Sequence, residues 1–287
     1  MALKDILLYV DQTDRARGRL RLAMDLARRH GSYLTALFVR ERDQMQLDER
    51  KAAELGLASA QQVRRLDKSI EASIDIAAEQ LKAELDTLAR QCGVQAEWRT
   101  AQGTLAEIAP QHARYADLCI LGHEVPANRA SIDYSFDEQM LFTVGRPVMF
   151  VPPVWTSTVL GLHVAIAWNS SRPAARAVND ALPLIERAER TTVITVNPTD
   201  FIDRHGALPA AYMVEHLKRH GAAVEAVQLE NVAAGAIAPT LQVKARELGA
   251  DVLVAGAFAQ PRLKERFLGG VTSDLLLDMR MPLLMSQ

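Results

Sequence analysis

Short, continuous apolar runs alternate along the chain with longer segments in which apolar residues recur every three or four positions. Near the start, Ile6-Leu7-Leu8-Tyr9-Val10 is a run of the first kind. It is followed by polar Asp11-Gln12-Thr13-Asp14 and a segment with Leu20, Ala23, Met24 and Ala27 on one helical face. The same order returns after residue 160. Val164-Ala165-Ile166-Ala167-Trp168 leads into Asn169-Ser170-Ser171, then a segment with Ala174, Ala177, Val178, Ala181 and Leu184 on one face. A spacing near 3.6 predicts amphipathic helices, and short apolar runs between polar turns predict strands. Runs that are continuous, not alternating, are expected where helices cover both faces of a sheet.

The correspondence tightens further along. Ala116-Asp117-Leu118-Cys119-Ile120-Leu121-Gly122 matches Ala250-Asp251-Val252-Leu253-Val254-Ala255-Gly256 at a constant offset of 134. Each is followed 25 or 26 residues later by proline and a closing apolar run, Pro147-Val148-Met149-Phe150-Val151 and Pro282-Leu283-Leu284-Met285. Self-similarity of this kind marks an internal duplication. Further strands are predicted at Leu34 to Val39, Val94 to Arg99, Thr192 to Val196 and Val224 to Leu229. The expected fold is α/β: two doubly wound, five-stranded parallel-sheet domains in tandem, residues 1–153 and 159–287, joined by Pro152-Pro153-Val154-Trp155-Thr156-Ser157-Thr158. The halves differ between their second and third strands. The first spends about 54 residues there, Arg40 to Gly93, ending in a helix with Ile70, Ile74, Ala77, Ala78, Leu81, Leu85 and Leu88; the second uses about 27. The charged stretch Arg40 to Lys51 reads as a solvated loop.

Composition narrows the function classes. Hydrophobic residues make up 49% and aromatics 5%, so two cores must be built from Ala, Leu, Val and Ile. The net charge is -2, and neither half is basic: residues 1–155 carry 20 Lys+Arg against 22 Asp+Glu, residues 156–287 carry 13 against 13. Capture of nucleic acid by counterion release needs a sustained positive face, so nucleic acid is not expected as a partner. No apolar run approaches the ~18–20 residues of a membrane span, and no secretory signal leads the chain, so a cytoplasmic location is expected. Cys92 and Cys119, 27 residues apart, read as two buried thiols.

Ligands of open α/β sheets sit at the carboxyl ends of the strands. The second half offers Gly256-Ala257-Phe258-Ala259, nine residues, then Gly269-Gly270-Val271-Thr272-Ser273, with Arg262, Lys264 and Arg266 in the same loop. A glycine pair before a helix lets backbone N–H groups approach an anion and adds the helix's partial positive charge. The competing reading makes the pair a simple turn, with Thr272 or Ser273 as N-cap. In the first half the loop from Gly122 to Val144 has no glycine pair, carries Glu124, Asp133, Asp137 and Glu138, and at offset 134 places Ser135 and Phe136 where Gly269 and Gly270 stand. A phosphate would be repelled there, so any nucleotide is expected in the second half.

Taken together, the strand-turn-helix opening, the Ala-Asp-aliphatic-Gly strand, the Gly-xx-Gly-nine-Gly loop and the proline-led closing strand resemble the universal stress protein family in its tandem form. The resemblance implies an adenine nucleotide alpha hydrolase-like fold and a non-enzymatic role in stress response, through ligand sensing or contact with other proteins, with ATP as the ligand the loop would take. Carried over, adenine or ribose contacts fall at Ala167, Asn169 and Val196, and phosphate contacts at Gly256, Ala259, Gly269, Gly270, Val271 and Thr272. This chain departs from the pattern in having Asn169 for the usual Asp, Ala259 for the second glycine, and Gly270 where a hydroxyl is usual. The alternative function is an ATP-binding or weakly ATP-hydrolysing switch using residues 256–272.

Other constellations point less far. His216 and His220 share a helix face at metal-ligand spacing, but His220-Gly221 reads as a helix C-terminus and no metal is expected. His123 ends a strand and is expected to bond locally or line the first-half cleft. Arg15, Arg17, Arg19 and Arg21 are expected to spread around a helix as solvated side chains. No catalytic residue is assigned, since GxSxG and GxxxxGK[ST] are both missing. The closing strands, at sheet edges, are expected to pair within the chain as a pseudo-dimer, with a homodimer as the further assembly.

Overall fold

The computed structural model describes residues 2–13, 15–40, 60–123, 136–198, 209–258 and 270–287. The first half runs β1 (Asp5–Val10), α1 (Ala16–His30), β2 (Tyr33–Arg40), α2 (Ala60–Cys92), β3 (Ala96–Gln102), α3 (Leu105–Ala113), β4 (Leu118–Gly122), α4 (Phe136–Thr143) and β5 (Val148–Val151). The second runs β6 (His163–Ala167), α5 (Arg172–Ile185), β7 (Arg190–Val196), α6 (Pro209–Arg219), β8 (Val224–Leu229), α7 (Ile237–Glu247), β9 (Val252–Gly256), α8 (Val271–Leu277) and β10 (Leu283–Ser286). Each half is a doubly wound α/β unit of five parallel strands, ordered 3-2-1-4-5 in its own sequence.

Local chemistry explains the element ends. Helix α1 stops at Gly31, which takes the left-handed conformation (φ 64°) and returns its N–H to Ala27, while the Ser32 N–H also reaches the Ala27 carbonyl. Helix α5 starts at Ser171, whose side chain accepts from the Ala174 N–H at 3.3 Å, with Pro173 inside the first turn where no donor is needed. The strand expected at Val94 begins instead at Ala96. Gly93 (φ 66°) caps α2, and the Val94 N–H is taken by the Ala89 carbonyl, so Val94 belongs to the helix terminus. The stretch 41–51 lies outside the described residues.

The closing strands stand at the centre of the molecule. β5 and β10 pair antiparallel, Leu283 opposite Phe150, Leu284 opposite Met149 and Met285 opposite Val148, so the halves form one ten-stranded sheet ordered β3-β2-β1-β4-β5-β10-β9-β6-β7-β8. Both strands are buried throughout. Among the described residues the outermost strands are β3 and β8, which depart from the expected apolar runs. Glu97, Arg99 and Gln102, and Glu225 and Gln228, break them up, and all of their residues are half-buried or exposed. Polar, charged edges resist pairing with another chain.

Helices cover both faces of the sheet, and each face carries one apolar cluster containing residues of both halves. One gathers Leu8, Leu20, Phe38, Leu85, Val151, Ile166, Val178 and Leu284; the other gathers Tyr9, Leu37, Met140, Phe150, Ile194, Leu253, Leu275 and Met285. Trp155, from the segment joining the halves, packs against both. The Ala-Asp step that revealed the duplication has a structural task. Asp117 accepts the N–H groups of Lys4 (2.8 Å) and Asp5 (3.0 Å), and Asp251 accepts those of Gly161 (2.7 Å), Leu162 (2.8 Å) and His163 (3.3 Å). Each carboxylate thus fixes the start of its half's central strand. Cys119 is buried and Cys92 half-buried; both are free thiols.

Candidate functional site

The parallel registers bring the carboxyl ends of β6, β7 and β9 to one edge of the sheet. Ala167 lies beside Ile194 and Ala255, and Val196 closes β7 two residues beyond Ile194. Ala167, Val196 and Phe258 are half-buried against the same apolar cluster, so they line one face of this edge. Asn169 follows in the turn. Its side-chain oxygen accepts the Ser171 N–H at 3.2 Å, which leaves its amide hydrogens for another partner. Ser170 between them has φ 55°, a conformation that asparagine-led turns accommodate.

Gly256 belongs to the opposite side of the strand. A Cβ there would lie 2.5 Å from the Pro173 carbonyl carbon and 2.7 Å from the Ala174 Cα, so this glycine lets the first turn of α5 press directly against β9. Gly270 is the residue before α8, Val271 its exposed first residue, and Thr272 is buried. The Thr272 hydroxyl accepts the Phe258 N–H at 3.0 Å. Ser273 donates to Glu138 at 2.8 Å. Neither hydroxyl caps α8, which sets aside the reading of Thr272 or Ser273 as N-cap. Phe258 has φ 51° and stacks on Phe142 of the other half, ring centroids 4.5 Å apart. Ala259, Gly269 and the cations Arg262, Lys264 and Arg266 lie outside the described residues.

Strand by strand, the two halves align with a single one-residue shift. Cys119 and Leu253 hold equivalent places, as do Val148 and Leu283, so the offset is 134 at β4/β9 and 135 at β5/β10. One extra residue enters the second half between β9 and α8, whose start at Val271 matches Phe136. Gly270 therefore aligns with Ser135, and Thr272 with Asp137. His123 aligns with Ala257, and their N–H groups make the same bond, to Val151 and Ser286 respectively.

The first half fills its edge differently. Arg19 is buried, ion-paired to Asp11, and packed where a Cβ on Gly122 would stand, 2.7 Å from the guanidinium carbon. This corrects the expectation of four solvated arginines. One helical face turns Arg19 into the sheet edge, while Arg17 and Arg21 reach Glu84 of α2. On the other side of the sheet the His123 ring shares a hydrogen bond through Nδ1 with Asp137, both side chains almost wholly buried. Burial pushes the Asp137 carboxyl above its usual range, against the lowering effect of the His123 hydrogen bond. Sequence reasoning named His123 and Asp137 separately and missed the pair; aligning Thr272 with Asp137 was the available signal.

The histidines of α6 stay a surface pair. The His216 and His220 rings meet edge-on with centroids 4.8 Å apart, and His220 Nδ1 lies 3.5 Å from Glu186. Among the described residues no three ligand-type side chains converge as a metal site, and no helix is long and apolar enough to cross a membrane.

No protein-family model and no curated protein matches the sequence. Solved structures do match. A universal stress protein from Archaeoglobus fulgidus DSM 4304 superposes with a TM-score of 0.69 at 15% identity, over 99% of this chain and 96% of that one. A protein of unknown function from Pseudomonas aeruginosa PAO1 gives a TM-score of 0.60 at 18% identity, covering 99% and 92%. A Pseudomonas aeruginosa UCBPP-PA14 chain bearing the universal stress protein name gives 0.58 at 18%, covering 99% and 93%. The likeness runs the full length of each chain, through both halves: this chain has the universal stress protein fold in its tandem, two-half form.

Proposed function

We propose that this chain is a tandem universal stress protein that acts without catalysis, by sensing a ligand or contacting other proteins in a stress response. Its units are residues 1–153 and 159–287, packed as a pseudo-dimer in the cytoplasm. The second unit binds an adenine nucleotide weakly through Ala167, Asn169, Val196, Gly256, Ala259, Gly269, Gly270, Val271 and Thr272. The observation that carries this reading is the asymmetry of the two sheet edges. The first half closes its edge with Arg19–Asp11 and His123–Asp137, whereas among the described residues the second leaves Ala167, Val196 and the Asn169 amide at its edge without a charged side chain bonded to them.

Weak binding follows from the residues present. Thr272 already bonds the Phe258 N–H, and Gly256 is engaged with α5, so neither is free to rearrange at no cost. Calorimetric titration of the intact chain with ATP is the test. A dissociation constant in the micromolar range or weaker, lost on Gly269→Glu, is expected. ATP or ADP retained stoichiometrically through purification, together with steady hydrolysis, would instead favour a nucleotide-hydrolysing switch. No binding at millimolar ATP would remove nucleotide from the proposal.

A further inference from the structure

The loop between β9 and α8 is flanked by Phe258 on one side and by Gly270 and α8 on the other, and both flanks touch the first half. The Phe258 ring stacks on Phe142 of α4, centroids 4.5 Å apart. Ser273, in the first turn of α8, donates to Glu138 of α4 at 2.8 Å. Glu138 and Phe142 stand four residues apart in α4 and so share one face of that helix. The flanks are also tied to each other, because the Thr272 hydroxyl accepts the Phe258 N–H at 3.0 Å.

Phe258 is the strained member of this group. At φ 51° it holds a left-handed conformation that a bulky residue keeps only when its neighbours impose it. Thr272 holds its N–H and the Phe142 ring holds its side chain. Phe258 is also half-buried against the apolar cluster that Ala167 and Val196 join, at the carboxyl edge of the second half. Its conformation therefore shapes that edge.

The arrangement is not repeated across the molecule. The shift of 135 that matches α4 with α8 makes Glu138 and Ser273 equivalents of each other, and gives Phe142 the counterpart Leu277. At the offset of 134 that holds for β4 and β9, the counterpart of Phe258 is Glu124. Leucine and glutamate cannot form a ring stack, and Leu277 is 41% exposed. The stacked pair thus accompanies the one loop that keeps Gly269-Gly270.

We propose that the ligand site of the second half is completed by the first: Phe142 and Glu138 are positioning residues that hold Phe258 and the start of α8 in the arrangement that receives the ligand. The inference rests on the nucleotide reading of the second half and adds that the site is built from both units. Without Phe142 fewer molecules keep Phe258 left-handed, and apparent affinity falls with that fraction.

The test joins calorimetric titration of the intact chain with ATP to digestion by trypsin, for which Arg262, Lys264 and Arg266 supply cuts within the loop. Phe142→Ala is expected to weaken ATP binding about fivefold, the worth of one stacked ring pair, and Phe142→Tyr, which keeps the ring, to restore it. Phe142→Ala combined with Phe258→Ala should weaken binding by less than the product of the two single effects, the mark of direct coupling. Without ATP, trypsin should cut the loop of Phe142→Ala and of Ser273→Ala faster than that of the native chain, with cuts elsewhere unchanged, which separates a lost anchor from a lost fold. Unchanged ATP affinity in Phe142→Ala, independent effects in the double variant, or equal cutting of the loop in native chain and variants would each overturn the proposal. If the native chain binds no ATP at millimolar concentration, the nucleotide reading fails, and the anchoring role of Phe142 and Glu138 is decided by the trypsin comparison.

Discussion

Two glycines in equivalent places, Gly122 and Gly256, have different neighbours and so different tolerances. A methyl on Gly256 meets the backbone of Pro173 and Ala174, which cannot step aside without moving α5; a methyl on Gly122 meets the far end of the Arg19 side chain. Gly256→Ala is expected to cost about 1–3 kcal/mol and Gly122→Ala clearly less, as urea midpoints would show. His30 offers a pH prediction. It is the last residue of α1, where a positive charge would gain roughly 0.3–1 kcal/mol from the helix dipole. Burial, with Arg187 and Arg29 nearby, acts the other way and pushes its pKa down from 6.5 to about 4. Desolvation is the larger effect, and the native imidazole is neutral. Its contribution is therefore fully present above pH 6.5 and is lost as pH falls towards 4, by up to roughly 3 kcal/mol. Urea unfolding across that window should show the loss, and His30→Gln should flatten it.

The elements divide into those set by their own residues and those set by their neighbours. Helix α5 is of the first kind: Ser171 at its start, Pro173 in the first turn, and Ala174, Ala177, Val178 and Ala181 on one buried face. Ser171→Ala should lower stability by about 1 kcal/mol, measured by chemical denaturation. Because the first turn of α5 also backs Gly256, the same substitution is expected to weaken nucleotide binding more than Ser157→Ala, a change in the exposed segment between the halves. The edge strands are of the second kind. Charged residues interrupt both Val224–Leu229 and Ala96–Gln102, and the parallel ladders from β7 and β2 hold them in place. Arg190 on β7 adds an ion pair to Glu225 at that edge. β3 was accordingly displaced by two residues from where its apolar residues suggested.

At the scale of the molecule, the sheet and both apolar clusters run through the two halves without a break. Arg187 of the second half bonds the Arg29 carbonyl of the first, Arg29 bonds the Leu160 carbonyl, and Ser273 bonds Glu138. A protease site placed beside the exposed Val154 should therefore cut the chain without separating it. The two pieces are expected to co-elute on size exclusion and to melt in one transition; two separate, well-behaved monomers would sink the pseudo-dimer reading. With β5 and β10 occupied by each other, further assembly of the chain has to use another surface than the closing strands.

By itself the sequence determined the duplication, the α/β class and the succession of strands and helices along each half, because these rest on short-range periodicity and on matching apolar runs. It also located the carboxyl edge where Ala167, Asn169, Val196 and Gly256 lie. Tertiary structure alone decided what those positions do. Gly256 serves a helix contact, Thr272 holds a backbone N–H, Arg19 turns inward onto Asp11, and His123 finds Asp137 across a loop. Such pairings join residues that no local period connects, and their sign depends on whether burial or a nearby partner dominates. That β5 and β10 meet each other follows from two apolar edge strands read from the chain; that they meet antiparallel, with Leu284 opposite Met149, is settled only when both sheets are built.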